Sequence, residues 1–126
     1  MGLEKVTQHD KFAQLLGIRI LEASHGSATA ELEIKEQHLN GLGWVHGGVI
    51  VTLADMAFAA AANSQGVDAV AVNLNVSFLK SAKSGKLTAV ATEISLSRRL
   101  GTYRIEVNDS DGKPIASLQG TAYRFA

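Results

Sequence analysis

Apolar residues recur along this chain in two rhythms, one near the period of a helix and one alternating residue by residue. Between Lys5 and Leu16, Phe12, Leu15 and Leu16 form an apolar side, and Gly17 stands where a helix would stop. The spacing predicts one short helix there. Two strands follow, Ile18 to Ala23 and Ser27 to Ile34, about a turn at His25-Gly26. The second alternates without a break, with Ala28, Ala30, Leu32 and Ile34 on one face and Thr29, Glu31, Glu33 and Lys35 on the other. Glycine punctuates "KEQHLNGLGW", which reads as a loop.

The next segment departs from both rhythms. From about His46 to Ser64, closed by Gly66, nearly every position is apolar, and the alanine-rich second half favours helix over strand. After it, "AVAVNLNVSFLK" sets Val70, Val72, Leu74, Val76 and Phe78 on one face and Asn73, Asn75 and Ser77 on the other. Lys86 to Ser97 and Thr102 to Asn108 read as two more strands. "SDGK" marks a hairpin turn at Asp111-Gly112, and Pro114 to Phe125 supplies the last strand, its proline at the tolerated first position. Helix, two strands, long helix, four strands: this order predicts an α+β domain, an antiparallel sheet wrapped around one helix. A helix apolar on every side exceeds what one sheet can hide, so a second subunit is expected to cover the rest.

Composition narrows the setting. The chain has 126 residues, 46% of them hydrophobic, which fits a single domain over 1–126 with a modest core. Twelve basic and twelve acidic side chains cancel, so no global charge argues for nucleic acid or an anionic membrane. Without cysteine, neither disulfides nor a thiolate metal site can form. The four histidines show no helical pairing with a carboxylate, so no metal is expected. "MGLEKVTQHD" lacks the apolar core of a signal peptide, and no apolar segment reaches the ~20 residues of a membrane span. A cytoplasmic location is expected.

Candidate chemistry lies in the long helix. Asp55 is the only carboxylate in the run from Val49 to Ala62. Burying an ionised carboxylate without partners is costly, so it must raise its pKa or find donors. It serves either structure, tied to a neighbouring loop, or chemistry. His46-Gly47-Gly48 stands where the helix begins. Unpaired N–H groups there carry partial positive charge, and glycine lets a ligand approach the backbone. Such an amide suits an oxyanion hole; equally, the glycines can serve the turn and tight packing. His46 and Asp55 are nine residues apart, roughly 13 Å along a helix axis and on opposite sides of it. Two such helices running antiparallel across a two-fold axis would bring the parts together, giving two shared sites per dimer.

The stretch "HLNGLGWVHGGVIVTLADMAFAAAANSQG" resembles the hotdog-fold acyl-CoA thioesterases, and among them the PaaI-type enzymes of phenylacetate degradation. Asn40, His46-Gly47-Gly48 and Leu53-Ala54-Asp55 carry the likeness, with "NSQG" closing the helix. The resemblance implies a hotdog fold assembling as dimers that pair into tetramers. It implies hydrolysis of phenylacetyl-, hydroxyphenylacetyl- or other acyl-CoA, without metal or cofactor. Asp55 would be general base or nucleophile, the Gly47 N–H of the facing subunit would polarise the thioester carbonyl, and Gly48 beside it would contact the substrate. His46 and Asn40 would orient the reacting groups, unless His46 is a satisfied structural histidine and Asn40 merely shapes its loop.

Lys80, Lys83 and Lys86 follow "NVSFL", and Arg98-Arg99 end the next strand. These cations are expected on one rim, either for CoA phosphates or as an ordinary charged edge. Lys80-Ser81 stands where the family often has Arg-Pro. Phe78 and Leu79 border the pantetheine channel or, for Phe78, pack the core. The acyl pocket is expected between the sheet face of Asn73 and Asn75 and the helix around Phe58 and Ala59, where Ala59 to Ala62 leave room for an aromatic ring. Two rivals differ in chemistry. A hydratase or dehydratase of acyl thioesters would pair an acid with a proton-transferring histidine. A non-catalytic acyl-CoA-binding module has little use for a buried carboxylate at the carbonyl.

Overall fold

The computed structural model describes residues 2–126. Along the chain run α1 (Gly2–Gln8), α2 (Lys11–Leu16), β1 (Arg19–Ser24), β2 (Ser27–Glu33), α3 (Gly47–Ala62), β3 (Ala69–Phe78), β4 (Lys86–Leu96), β5 (Leu100–Asn108) and β6 (Pro114–Arg124). The six strands form one antiparallel sheet in the order β1-β2-β4-β5-β6-β3, curled about α3. The predicted α+β layout is the observed one, and this is the hotdog architecture.

The expected first helix is two helices. Asp10 takes an extended conformation (φ −77°, ψ 106°) and its side chain accepts the Ala13 N–H, so it caps a new helix instead of continuing the old one. The expected apolar side is also turned around: Phe12 and Leu15 are 57% and 71% exposed, while Ala13 is buried. Gly17 ends α2 as anticipated, in the left-handed region at φ 84°. His25 (φ 52°) and Gly26 (φ 81°) join β1 to β2 in the doubly left-handed turn that suits a two-residue hairpin.

The core lies between the sheet and α3. Ala28, Ala30 and Leu32 of β2, Leu87, Ala89 and Ala91 of β4, and Tyr103, Ile105 and Val107 of β5 are all buried. The alanines let the helix lie close to the sheet, and Leu53 and Phe58 fill the space between, each contributing about 1.5–3 kcal/mol by burial. Phe58 meets Tyr103 with ring centroids 5.5 Å apart and rests on Gly120, where a Cβ would lie 2.7 Å from its ring. With the turn that follows it, Gly47–Gln65 makes 19 residues, 18 of them averaging a hydropathy of 1.3, long and apolar enough by composition to cross a membrane, contrary to the expectation that no segment is. Here that apolarity is matched by the wrapping sheet.

Two details revise the sequence reading. In β3 the register with β6 shifts between Ala71 and Asn73, leaving Val72 as a bulge. Leu74, Val76 and Phe78 therefore keep the face toward α3, but Ala69 and Ala71 replace Val70 and Val72 on it, and those valines are 50% and 60% exposed. Second, α3 is not sealed all round. Gly48 is exposed and Thr52, Asp55 and Ala59 are half-buried; their 4-3-4 spacing makes one open stripe along the helix.

Candidate active site

The start of α3 is built by His46. Held extended at φ −62° and ψ 135°, it caps the helix, and its Nδ1 accepts the Gly48 N–H at 2.9 Å. Its carbonyl accepts the N–H groups of Val49 and Ile50, and its own N–H donates to the His38 carbonyl at 2.8 Å. In that first turn the Gly47 N–H alone has no acceptor among the described residues. Phe78 lies against Gly47, where a Cβ would stand 3.2 Å from its ring, so a side chain here would press into the aromatic wall.

Gly47 lines a cavity of about 470 Å³ together with Asn40, Trp44, Phe78 and Lys80. The Asn40 Oδ1 accepts the N–H groups of Leu42 (2.9 Å) and Trp44 (3.1 Å), which ties the loop and leaves its amide NH2 as the group available to a ligand. Lys83 places its ammonium 4.3 Å from the centre of the Trp44 ring, and Lys80 lies 3.6 Å from Asp109 at the rim.

Asp55 sits elsewhere in the same chain. Eight residues beyond Gly47, it lies about 12 Å further along the axis. It opens into a second cavity, about 230 Å³, walled by Phe58, Ala59, Ala62, Ala71 and Val6 of α1. No donor among the described residues satisfies its carboxylate. Burial, and then the nearby charge of Asp10, push its pKa above the ordinary carboxylate value.

Other expected site residues separate. Asn73 is corrected: opposite Thr121, it points away from α3 into a polar groove of about 410 Å³ with Asn75, Arg104 and Gln119. Asn73 and Phe58 thus lie on opposite faces of the sheet, and a single chain cannot wall one pocket with both. Ala71 takes the expected place. Its signal would have been the bulge, which alternation alone does not reveal. The cations are corrected as well. Lys80 follows the end of β3 that pairs with Ala116, whereas Arg98 and Arg99 precede the start of β5, beside Tyr123. The length of β5 separates them, roughly 27 Å at 3.4 Å per residue. Arg99 is bonded to the Tyr123 hydroxyl at 2.9 Å, and the Arg98 carbonyl accepts from Arg124. Among the described residues no three histidine or carboxylate side chains gather where they could hold a metal ion.

A hotdog sheet with an unfilled amide at the head of its helix and an unsatisfied carboxylate further along defines a class of thioester-cleaving proteins. The chain belongs to the thioesterase superfamily, whose sequence profile matches residues 42–116 and so spans both Gly47 and Asp55. It is 44% identical over 118 residues to a candidate esterase of Archaeoglobus fulgidus, covering 93% of this chain and 77% of that one. It is 37% identical over 119 residues to the acyl-coenzyme A thioesterase PaaI of Escherichia coli, covering 94% and 85%. The solved E. coli PaaI protein, from the phenylacetic acid degradation operon, superposes with a TM-score of 0.94 at 35% identity over 99% of this chain and 91% of that one. The protein is a thioester hydrolase.

Proposed function

We propose that this enzyme hydrolyses acyl-CoA thioesters, with aryl-acyl groups such as phenylacetyl or hydroxyphenylacetyl as preferred substrates. One observation carries the reading: α3 holds two unsatisfied groups of opposite character, the Gly47 N–H and the Asp55 carboxylate, too far apart to meet on one atom. A second copy resolves this. The ten residues of β3 form an edge strand without a single charge, whereas the other edge, β1, carries Arg19 and Glu22. An uncharged edge of this length is a template for pairing. Antiparallel pairing of two β3 strands makes the two α3 helices antiparallel. The Gly47 end of each then lies beside the partner's half-helix that bears Asp55 and the alanines.

In such a site the thioester carbonyl points at the Gly47 N–H. Asp55 of the other subunit either removes a proton from water as it attacks, or attacks the carbonyl carbon itself. In the first route the C=O electrons move to oxygen, where the amide holds the charge. The C–S bond then breaks, and the departing CoA thiolate takes back the proton from Asp55. His46 is a positioning residue: its Nδ1, occupied by the Gly48 N–H, fixes which amide stays open. The same pairing sets Arg98 and Arg99 of one subunit at the Lys80 end of the other, so that the cations share a rim for CoA phosphates only in the dimer. The name of the E. coli relative supports acyl-CoA as the substrate, and its operon supports an aryl group.

The test mixes two inactive variants, Asp55→Ala and Gly47→Pro, and assays thiol release from phenylacetyl-CoA. Shared sites predict that mixed dimers recover one working site in two. Complete failure to recover, with mixed dimers demonstrated, would overturn the shared arrangement.

A further inference from the structure

The cavity that receives Asp55 is lined in part by a residue far from it in sequence. Val6 lines it together with Phe58, Ala59, Ala62 and Ala71. These last four belong to α3 and the edge strand β3. Val6 instead belongs to α1, a helix of seven residues with none fully buried. Leu3 and Val6 lean α1 against the core, and the Gly2 N–H donates to Asp68, just before β3, at 3.0 Å. Most of the remaining lining is alanine, and Val70, which also borders the cavity, lies on the face of β3 away from α3, so Val6 is the branched aliphatic residue brought in from outside the sheet and α3. The opposite cavity, with Lys80 at its mouth, suits the CoA arm and leaves the Asp55 side for the acyl group.

We infer that Val6 of α1 is a specificity-determining residue whose side chain sets how large an acyl group the enzyme accepts. The inference rests on the hydrolytic reading above for which cavity takes the acyl group. Its physical basis is that an apolar pocket discriminates by filled volume, and a lining residue on a short helix with none of its residues fully buried is where volume changes with least disturbance to the core.

Thiol release from acetyl-, phenylacetyl- and naphthylacetyl-CoA is compared for the wild type, Val6→Ala, Val6→Phe and Leu3→Ala. Val6→Ala should raise the naphthylacetyl-to-phenylacetyl ratio of kcat/KM about tenfold, the discrimination expected for a methylene or two in an apolar pocket. Val6→Phe should lower the phenylacetyl-to-acetyl ratio by a similar factor. Leu3→Ala loosens α1 without lining the cavity and should keep both ratios within about twofold even if its Tm falls. Unchanged ratios in folded Val6 variants would overturn the role of Val6 and leave hydrolysis standing. If the wild type releases no thiol from any of the three, the hydrolytic reading fails and Val6 is judged by binding. The Kd of para-fluorophenylacetate, read by fluorine NMR, must then weaken at least about fivefold in Val6→Phe, or the inference falls as well.

Discussion

Asp55 and Gly47 stand on one helix with opposite needs, a carboxylate without a donor and an N–H without an acceptor among the described residues. Because burial raises the Asp55 pKa, between the ordinary carboxylate value of 3.8 and the elevated one the folded protein holds a proton that the unfolded chain has released. Stability therefore falls as pH rises from 3.8 through the elevated folded value and stays lower above it. Asp55→Asn never ionises and escapes that loss. It should melt higher than the wild type at neutral pH, the gap closing as pH falls toward 3.8, while hydrolysis drops about 10²–10⁴-fold. Thermal melts across pH, alongside thiol-release rates, check both parts. The proposed role of Asp55 as base or nucleophile requires its carboxylate, so it predicts that wild-type activity rises with pH through the same elevated value. At Gly47, proline removes the N–H at the first position of the helix, where proline is tolerated after an extended His46, but it adds a Cβ about 3.2 Å from the Phe78 ring, so Gly47→Ala, which adds the same Cβ and keeps the N–H, is its control. Gly47→Pro should keep the fold by circular dichroism and lose about 10²–10³ in kcat, as expected for one oxyanion donor. Retained kcat would exclude this amide from the reaction.

At the scale of elements, the strongest constraints are placed where the sheet leaves room for α3. Gly120 is such a place, since any Cβ must displace Phe58, which also walls the Asp55 cavity. Gly120→Ala should destabilise by about 1–3 kcal/mol through overpacking and also lower kcat/KM for aryl substrates. Urea titration and the substrate series measure the two effects together. His38 binds three segments: its Nδ1 accepts the Lys35 N–H at 2.9 Å, so its Nε2 carries the proton and donates to the Leu16 carbonyl at 2.8 Å. Its own carbonyl receives the His46 N–H at the head of α3. His38→Ala removes the partner of the Leu16 carbonyl, half-buried, and of the Lys35 N–H, on an exposed residue, and should cost about 1–3 kcal/mol. Most elements were legible from rhythm alone, because one face of each strand meets the core and the other does not. The break at Asp10 was missed because a helical period continues across it, and capping by one side chain decided the outcome. The bulge at Val72 was missed because alternation resumes one residue out of phase beyond it.

For the whole molecule, the unguarded β3 edge predicts association. Val72→Asp places a charge beside its own copy across a two-fold seam, so it should yield folded monomers with little hydrolysis. Sedimentation with parallel assays decides this; active monomers would show that one chain is sufficient. The dispersed cations make the same point. With Lys80 and Arg98-Arg99 at opposite ends of the sheet, a phosphate rim needs two chains.

By itself the sequence determined the α+β layout, the buried helix and the spacing of Asn40, His46-Gly47-Gly48 and Asp55, since local periodicity and residue chemistry suffice for these. It also carried the resemblance to the superfamily that the chain proves to belong to. Only the tertiary structure decided which amide is left open, which cavity Asp55 enters, that Ala71 and Val6 share it, and that Asn73 does not. Those outcomes depend on cap geometry, a bulge and the docking of α1. Each is set by contacts between residues far apart in the chain, which no pattern of neighbours along it can express.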